Sequence, residues 1–192
     1  MVLTLNAPVT AKMEDDEWTK YLAENRVEDI KDAGGQKLKG AEGIGPNLFF
    51  GPENALAWGQ TPSWLTIQTQ KPVILKEVRT HGDAYLANLW PQVKCIALSH
   101  HDARAMDTAP PAVHTLPGIQ KYCLQVFEKF EVIIDGGVQR GTDAMKALAF
   151  RAKEVGVARA ALFGQGTAGV GRVLQILNSE TATAMRLFGV ER

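Results

Sequence analysis

Apolar positions change their rhythm along the chain. Beyond residue 60, short apolar runs alternate with longer stretches in which apolar residues recur every third or fourth position. The runs VLTL (2–5), PVILK (72–76), KCIALS (94–99), FEVIID (130–135) and EVGVA (154–158) predict buried strands. Between them the spacing predicts helices: SWLTIQTQ after a Thr61 cap and Pro62, then 82–90, 111–129, and GTDAMKALAFRAKE capped by Thr142 or Asp143. A last helix is predicted over 167–188, where Val170, Val173, Leu174 and Leu177 fall on one face. Residues 9–60 lack this order; DAGGQKLKGAEGIGPN (32–47) has too few periodic apolar positions for an element, so the region reads as a long loop.

Short buried strands separated by amphipathic helices predict an α/β fold with a parallel sheet, since parallel neighbours need long crossover connections. When such a sheet closes into a barrel, its chemistry lies at the C-terminal ends of the strands. Those ends are Lys76, Ser99-His100-His101, Asp135-Gly136-Gly137 and Ala158-Arg159.

Composition narrows the field further. The 192 residues are 45% hydrophobic, ordinary for a globular domain, and Lys+Arg 21 balances Asp+Glu 21 without a basic block. A nucleic-acid partner, which needs a clustered cationic face, is not expected. No apolar run is long enough to predict a membrane span. MVLTLNAPV has no charged n-region before a long apolar stretch, and GVER is no SKL-type peroxisomal address, so the expectation is a cytoplasmic protein. Cys95 and Cys123 sit within apolar segments, without metal-ligand spacing, and read as reduced core thiols.

The segment IIDGGVQRGTD (133–143) carries the most specific signal. A buried strand ends at Asp135, two glycines allow close backbone approach, and a helix follows, which together suit a phosphate. Arg159 follows the next strand and adds a cation to the same end. The alternative is a tight structural turn in which Asp135 caps a backbone amide. Gly164, Gly166 and Gly169 fit G-x-G-x-x-G, but they precede a final helix with no strand behind it, so a dinucleotide site is not expected.

The stretch from Asp135 to Val190 resembles the closing segment of the FMN-dependent 2-hydroxyacid oxidases and dehydrogenases, which read D-G-G-x-R-R-G-x-D, a helix, G-R-P and a long last helix. SHHDAR (99–104) is similar to that family's S-N-H-G-x-R, VILK (73–76) to its strand ending in a flavin-contacting lysine, and VLTLNAP (2–8) to its L-T-x-D-x-P. The resemblance implies one domain over 1–192, an incomplete (β/α)8 barrel running from the end of strand 4 to strand 8. It implies FMN as cofactor and a small 2-hydroxy acid as substrate, oxidised to the 2-oxo product. His101 would be the general base and Arg104 the carboxylate anchor, although Arg104 has alternative partners in Asp102 and Asp107. Lys76 would stabilise charge on the reduced flavin, with Thr4 and Ser99 hydrogen-bonding its ring. Asp135, Gly136, Gly137, Val138, Gln139 and Arg159 would take the ribityl-phosphate end.

Departures fall on functional positions. Asn6 stands where the family has an aspartate that orients the histidine, which predicts a weakened base. Met13 stands near a second substrate-binding arginine, Gln139 replaces the first arginine of the glycine motif, and Ala158-Arg159-Ala160 replaces G-R-P. Eight βα units take about 250 residues. The expectation is therefore a homo-oligomer or a partner half-barrel. An inactive remnant or partner subunit is the alternative function.

Overall fold

The computed structural model describes residues 1–5, 58–101, 108–162, 164 and 166–190. The long loop expected over 9–60 lies outside them except at its last three positions, as do Asn6, Met13 and Arg104. The described residues belong to one of two units of the chain, Met1–Leu5 with Leu56–Arg192.

Five parallel strands form one sheet in chain order: β1 (Val2–Thr4), β2 (Val73–Val78), β3 (Val93–Leu98), β4 (Glu131–Asp135) and β5 (Glu154–Gly156). The helices are α1 (Thr61–Gln68), α2 (His81–Asn88), α3 (Thr115–Tyr122), α4 (Val126–Lys129), α5 (Gly141–Ala149), α6 (Arg159–Leu162) and α7 (Thr167–Leu187), with a 3-10 turn at Ala112–His114. The apolar rhythm predicts these parallel strands with helices between, and they are consecutive units of an incomplete α/β barrel, as the resemblance implies. Val73, Leu75 and Val78 of β2, Ile96 and Leu98 of β3, and Val132 and Ile134 of β4 are buried. Ala84 and Ala87 of α2 and Leu116 and Ile119 of α3 close the same core. Small residues on α2 let it lie close to the sheet, and each large side chain removed from water here contributes about 1.5–3 kcal/mol. No helix of the described residues is long and apolar enough to cross a membrane.

Most element ends lie within about two residues of the sequence expectation, and four differences have a clear local reason. Gln60, not Thr61, is the cap residue of α1, and Pro62 sits one place deeper, where its missing N–H still does no harm. The helix expected over 111–129 is broken at Cys123 (φ −149°, ψ 54°), although Leu116, Ile119, Cys123 and Val126 all remain buried. The apolar stripe persists while the backbone turns toward β4. The α5 cap is Arg140; Asp143 stands in the third helical position and reaches back, its Oδ2 accepting from the N–H groups of Gln139 (3.2 Å) and Arg140 (3.0 Å). The same helix ends at Ala149 rather than Glu154, because Arg151 takes a left-handed φ of 72° that turns the chain into β5.

Of the glycines singled out as a possible dinucleotide motif, Gly164 and Gly169 serve close backbone packing, while Gly166 has open space and a left-handed φ of 104°. A Cβ on Gly169 would collide with the Gly164 carbonyl.

Candidate functional site

Three neighbouring strands deliver the polar cluster. Lys76 lies in register with Thr4 on one side and Ala97 on the other. Directly after it, β2 bulges: the register shifts between Lys76 and Val78, and Glu77 takes a φ of 72°. This turns the Glu77 carboxylate to the inside, where its side chain is fully buried. Glu77 Oε1 lies 2.8 Å from Lys76 Nζ and 2.5 Å from His101 Nδ1. Ser99, at the end of β3, makes a parallel link, its Oγ accepting from Lys76 Nζ (3.2 Å) and from the His101 N–H (3.1 Å). From β4, Asp135 Oδ2 approaches Lys76 Nζ at 4.0 Å.

His101 also has a positive φ, 52°. Two side-chain-bearing residues in left-handed backbone, facing each other across one carboxylate, cost on the order of 1–3 kcal/mol each. They persist because Ser99 and the Glu77 pairings over-determine their positions. Such strain is characteristic of sites that hold groups for chemistry.

The glycine turn follows β4. Gly136 (φ 83°) lies under the His100 ring: a Cβ there would stand 2.7 Å from His100 Cε1. Gly137 (φ 74°) has nothing within 4 Å of where a Cβ would be, so its backbone is open to an approaching group. His100 is buried, and its Nδ1 has no hydrogen-bond partner. Burial holds its pKa below the ordinary value despite the opposing charge of Asp135, and Arg79 adds to the lowering. Both effects favour a neutral ring.

Val138 is half-buried and Gln139 exposed as the turn enters α5. The amides at the entry to α5 are already served by carboxylates: Gln139 and the cap residue Arg140 donate to Asp143, and Gly141 N, the first of the helix, donates to Glu180 Oε2 at 2.7 Å. The anion-binding capacity of this end therefore rests on the glycine turn rather than on the helix start. Asp143 is held below its ordinary pKa: partial burial pushes it up, but the two backbone hydrogen bonds and Lys146 outweigh that.

The structure thus brings together Lys76, Ser99, His101 and Asp135, with Thr4 beside Lys76 and Gly136 joined through His100. Arg159 is exposed and opens α6 beyond β5. Arg104 lies outside the described residues. The residue missed from sequence is Glu77. Its signal was an acidic residue inside the apolar run VILKEV, where a buried charge needs a partner. Among the described residues, no group of three or more His, Cys, Asp or Glu is placed to hold a metal ion.

A profile of the FMN-dependent dehydrogenase family matches residues 1–192. The chain is 34% identical over 195 residues to a 2-hydroxyacid oxidase of Dictyostelium discoideum, covering 99% of this chain and 48% of that protein. It is 32% identical over 197 residues to an L-lactate oxidase of a Nostoc strain, covering 98% of this chain and 53% of the other. Among solved structures, a doubly substituted flavocytochrome b2 with pyruvate bound superposes with a TM-score of 0.74 at 28% identity, over 98% of this chain and 44% of that one. The chain spans about half the length of these relatives.

Proposed function

Because the chain belongs to the FMN-dependent dehydrogenase family, we propose that it forms the base-and-phosphate end of an enzyme that oxidises a small 2-hydroxy acid to its 2-oxo acid. The observation that carries this reading is the meeting of Lys76, Ser99 and His101 at the C-terminal ends of β2 and β3, with Asp135 at the end of β4.

The residues present suit FMN. The backbone at Gly137 faces open space beside Gly136 and Asp135, so a ribityl phosphate can come close to it. Val138, Gln139 and Arg159 complete that end. Lys76 offers a cation and Ser99 and Thr4 hydroxyls to the flavin ring. When bound, FMN supplies the acceptor for the two electrons the substrate loses.

His101 takes a proton from the substrate. The pairing of its Nδ1 with Glu77 requires the ring proton on that nitrogen, which leaves Nε2 as the basic atom. Arg104 would hold the substrate carboxylate in a bidentate pair. Both reading and roles are tested by titrating the purified protein with FMN, following quenching of flavin fluorescence. Oxidation of glycolate, L-lactate and L-mandelate is then assayed with an artificial electron acceptor. Saturable FMN uptake and turnover that is lost in His101→Ala support the reading; protein that takes up no FMN defeats it.

A further inference from the structure

We infer that Glu77 is a positioning residue for His101, acting from β2 as the buried anion that fixes the imidazole and balances its charge once it is protonated. This rests on the reading of His101 as the base.

The argument starts from a disfavoured arrangement. A carboxylate with a fully buried side chain, on a residue forced into a φ of 72°, is destabilising on two counts. Neither is needed to continue β2, since an uncharged residue without the bulge would keep the ladder. What the bulge achieves is placement: one oxygen, Oε1, reaches both Lys76 Nζ, on β2, and His101 Nδ1, in the segment that follows β3. The other oxygen, Oε2, is buried without a partner, so the side chain is not satisfied as a structural group would be. The carboxylate is committed to two donors, the Lys76 ammonium and the His101 Nδ1–H.

Consequences for His101 follow. A carboxylate is acceptor-only, so Nδ1 must carry the hydrogen and the Nδ1–H tautomer is selected. His101 is anchored independently by its backbone N–H to Ser99 Oγ. Ring and backbone are thus held at two points, which restricts the angle at which Nε2 is presented. When Nε2 gains a proton, the new positive charge lies against an anion already in place, with no reorganisation required. Lys76 shares that anion, so Glu77 also tempers the cation it offers the flavin. The charge contribution expected to be missing at Asn6 is supplied by a different strand.

The test reads the imidazole first. In protein labelled with 15N-histidine and free of FMN, His101, assigned through its loss in His101→Gln, should show the Nδ1–H tautomer with a strongly deshielded, slowly exchanging proton. That proton should vanish in Glu77→Gln and remain in Glu77→Asp. An Nε2–H tautomer in the wild type, or a deshielded proton that survives Glu77→Gln, overturns the inference. In turnover, Glu77→Gln should lower kcat by about 10²-fold or more, the usual worth of a positioned base, with KM and FMN affinity little changed. Glu77→Asp should recover part of the loss. A Glu77→Gln protein that keeps wild-type kcat also overturns it. Failure of the wild type to bind FMN would instead defeat the oxidoreductase reading, because the tautomer is measured without the cofactor.

Discussion

Replacing three glycines by alanine, one at a time, should give three different outcomes. A Cβ on Gly141 would lie 2.4 Å from the Thr181 amide nitrogen and 2.5 Å from the Leu177 carbonyl oxygen, backbone atoms of α7 that cannot swing aside. The start of α5 must then move off α7. This strains the hydrogen bonds from Gly141 N to Glu180 (2.7 Å) and from Thr181 Oγ1 to the Gly141 carbonyl (3.1 Å). Overpacking costs about 1–3 kcal/mol and loss of a hydrogen bond to a charged group about 1.5–3 kcal/mol. Gly141→Ala should therefore destabilise by about 2–5 kcal/mol, lowering a urea midpoint by about 1–2.5 M at an m-value near 2 kcal/mol/M. Gly137 has open space but a φ of 74°, so its alanine variant meets only backbone strain, about 1–2 kcal/mol. Gly171, inside α7 with nothing within 4 Å, should become more stable by about 0.5–1 kcal/mol. Urea unfolding followed by circular dichroism ranks the three. Equal losses at Gly141 and Gly137, or a loss at Gly171, would show that close approach and backbone angle do not govern these positions.

Truncating Ile96, fully buried in the central strand β3, should cost about 2–5 kcal/mol in the same assay. Asp143→Asn should destabilise by about 0.3–1 kcal/mol at pH 7. Since the folded pKa of Asp143 lies below its ordinary 3.8, its contribution is present above that value and is lost as pH falls through the lower folded value, so the variant and wild type should converge at strongly acidic pH. The His100 pKa is also lowered, in its case by burial, so part of the stability should fade as pH drops below its ordinary 6.5. His100→Phe should flatten that part of the pH profile; an unchanged slope would assign it to other groups. Thr80→Ala removes the Oγ1 that accepts from Asp83 N at 3.0 Å, and should cost about 0.5–2 kcal/mol.

Much of this arrangement was legible in the residues. The β2, β3 and β4 strands and the long α7 follow from apolar period alone, because burial on both faces leaves near-continuous runs such as VILKEV and EVIID. The grouping of Lys76, Ser99, His101 and Asp135 followed from one rule, that such sheets collect chemistry at the carboxyl ends of their strands. Helix limits were less legible. Cys123 breaks a stripe whose burial never breaks, and periodicity reports burial, not backbone continuity. The cap of α5 was misread because Asp143 acts from inside the helix. Glu77 was passed over because its meaning depends on a left-handed φ that no local preference of glutamate announces.

The sheet's order has a consequence of its own. Strands that are neighbours in the sheet are neighbours along the chain, from β1 at one border to β5 at the other. A chain folding from its amino end would therefore add every new strand to an existing border, and would never need to pry apart two strands already joined. From β2 onward, construction by accretion keeps the closed loops between partners as short as the intervening helices allow, the condition under which chain topology slows folding least. It also means that a cut between any two units severs one seam and leaves every other pairing whole.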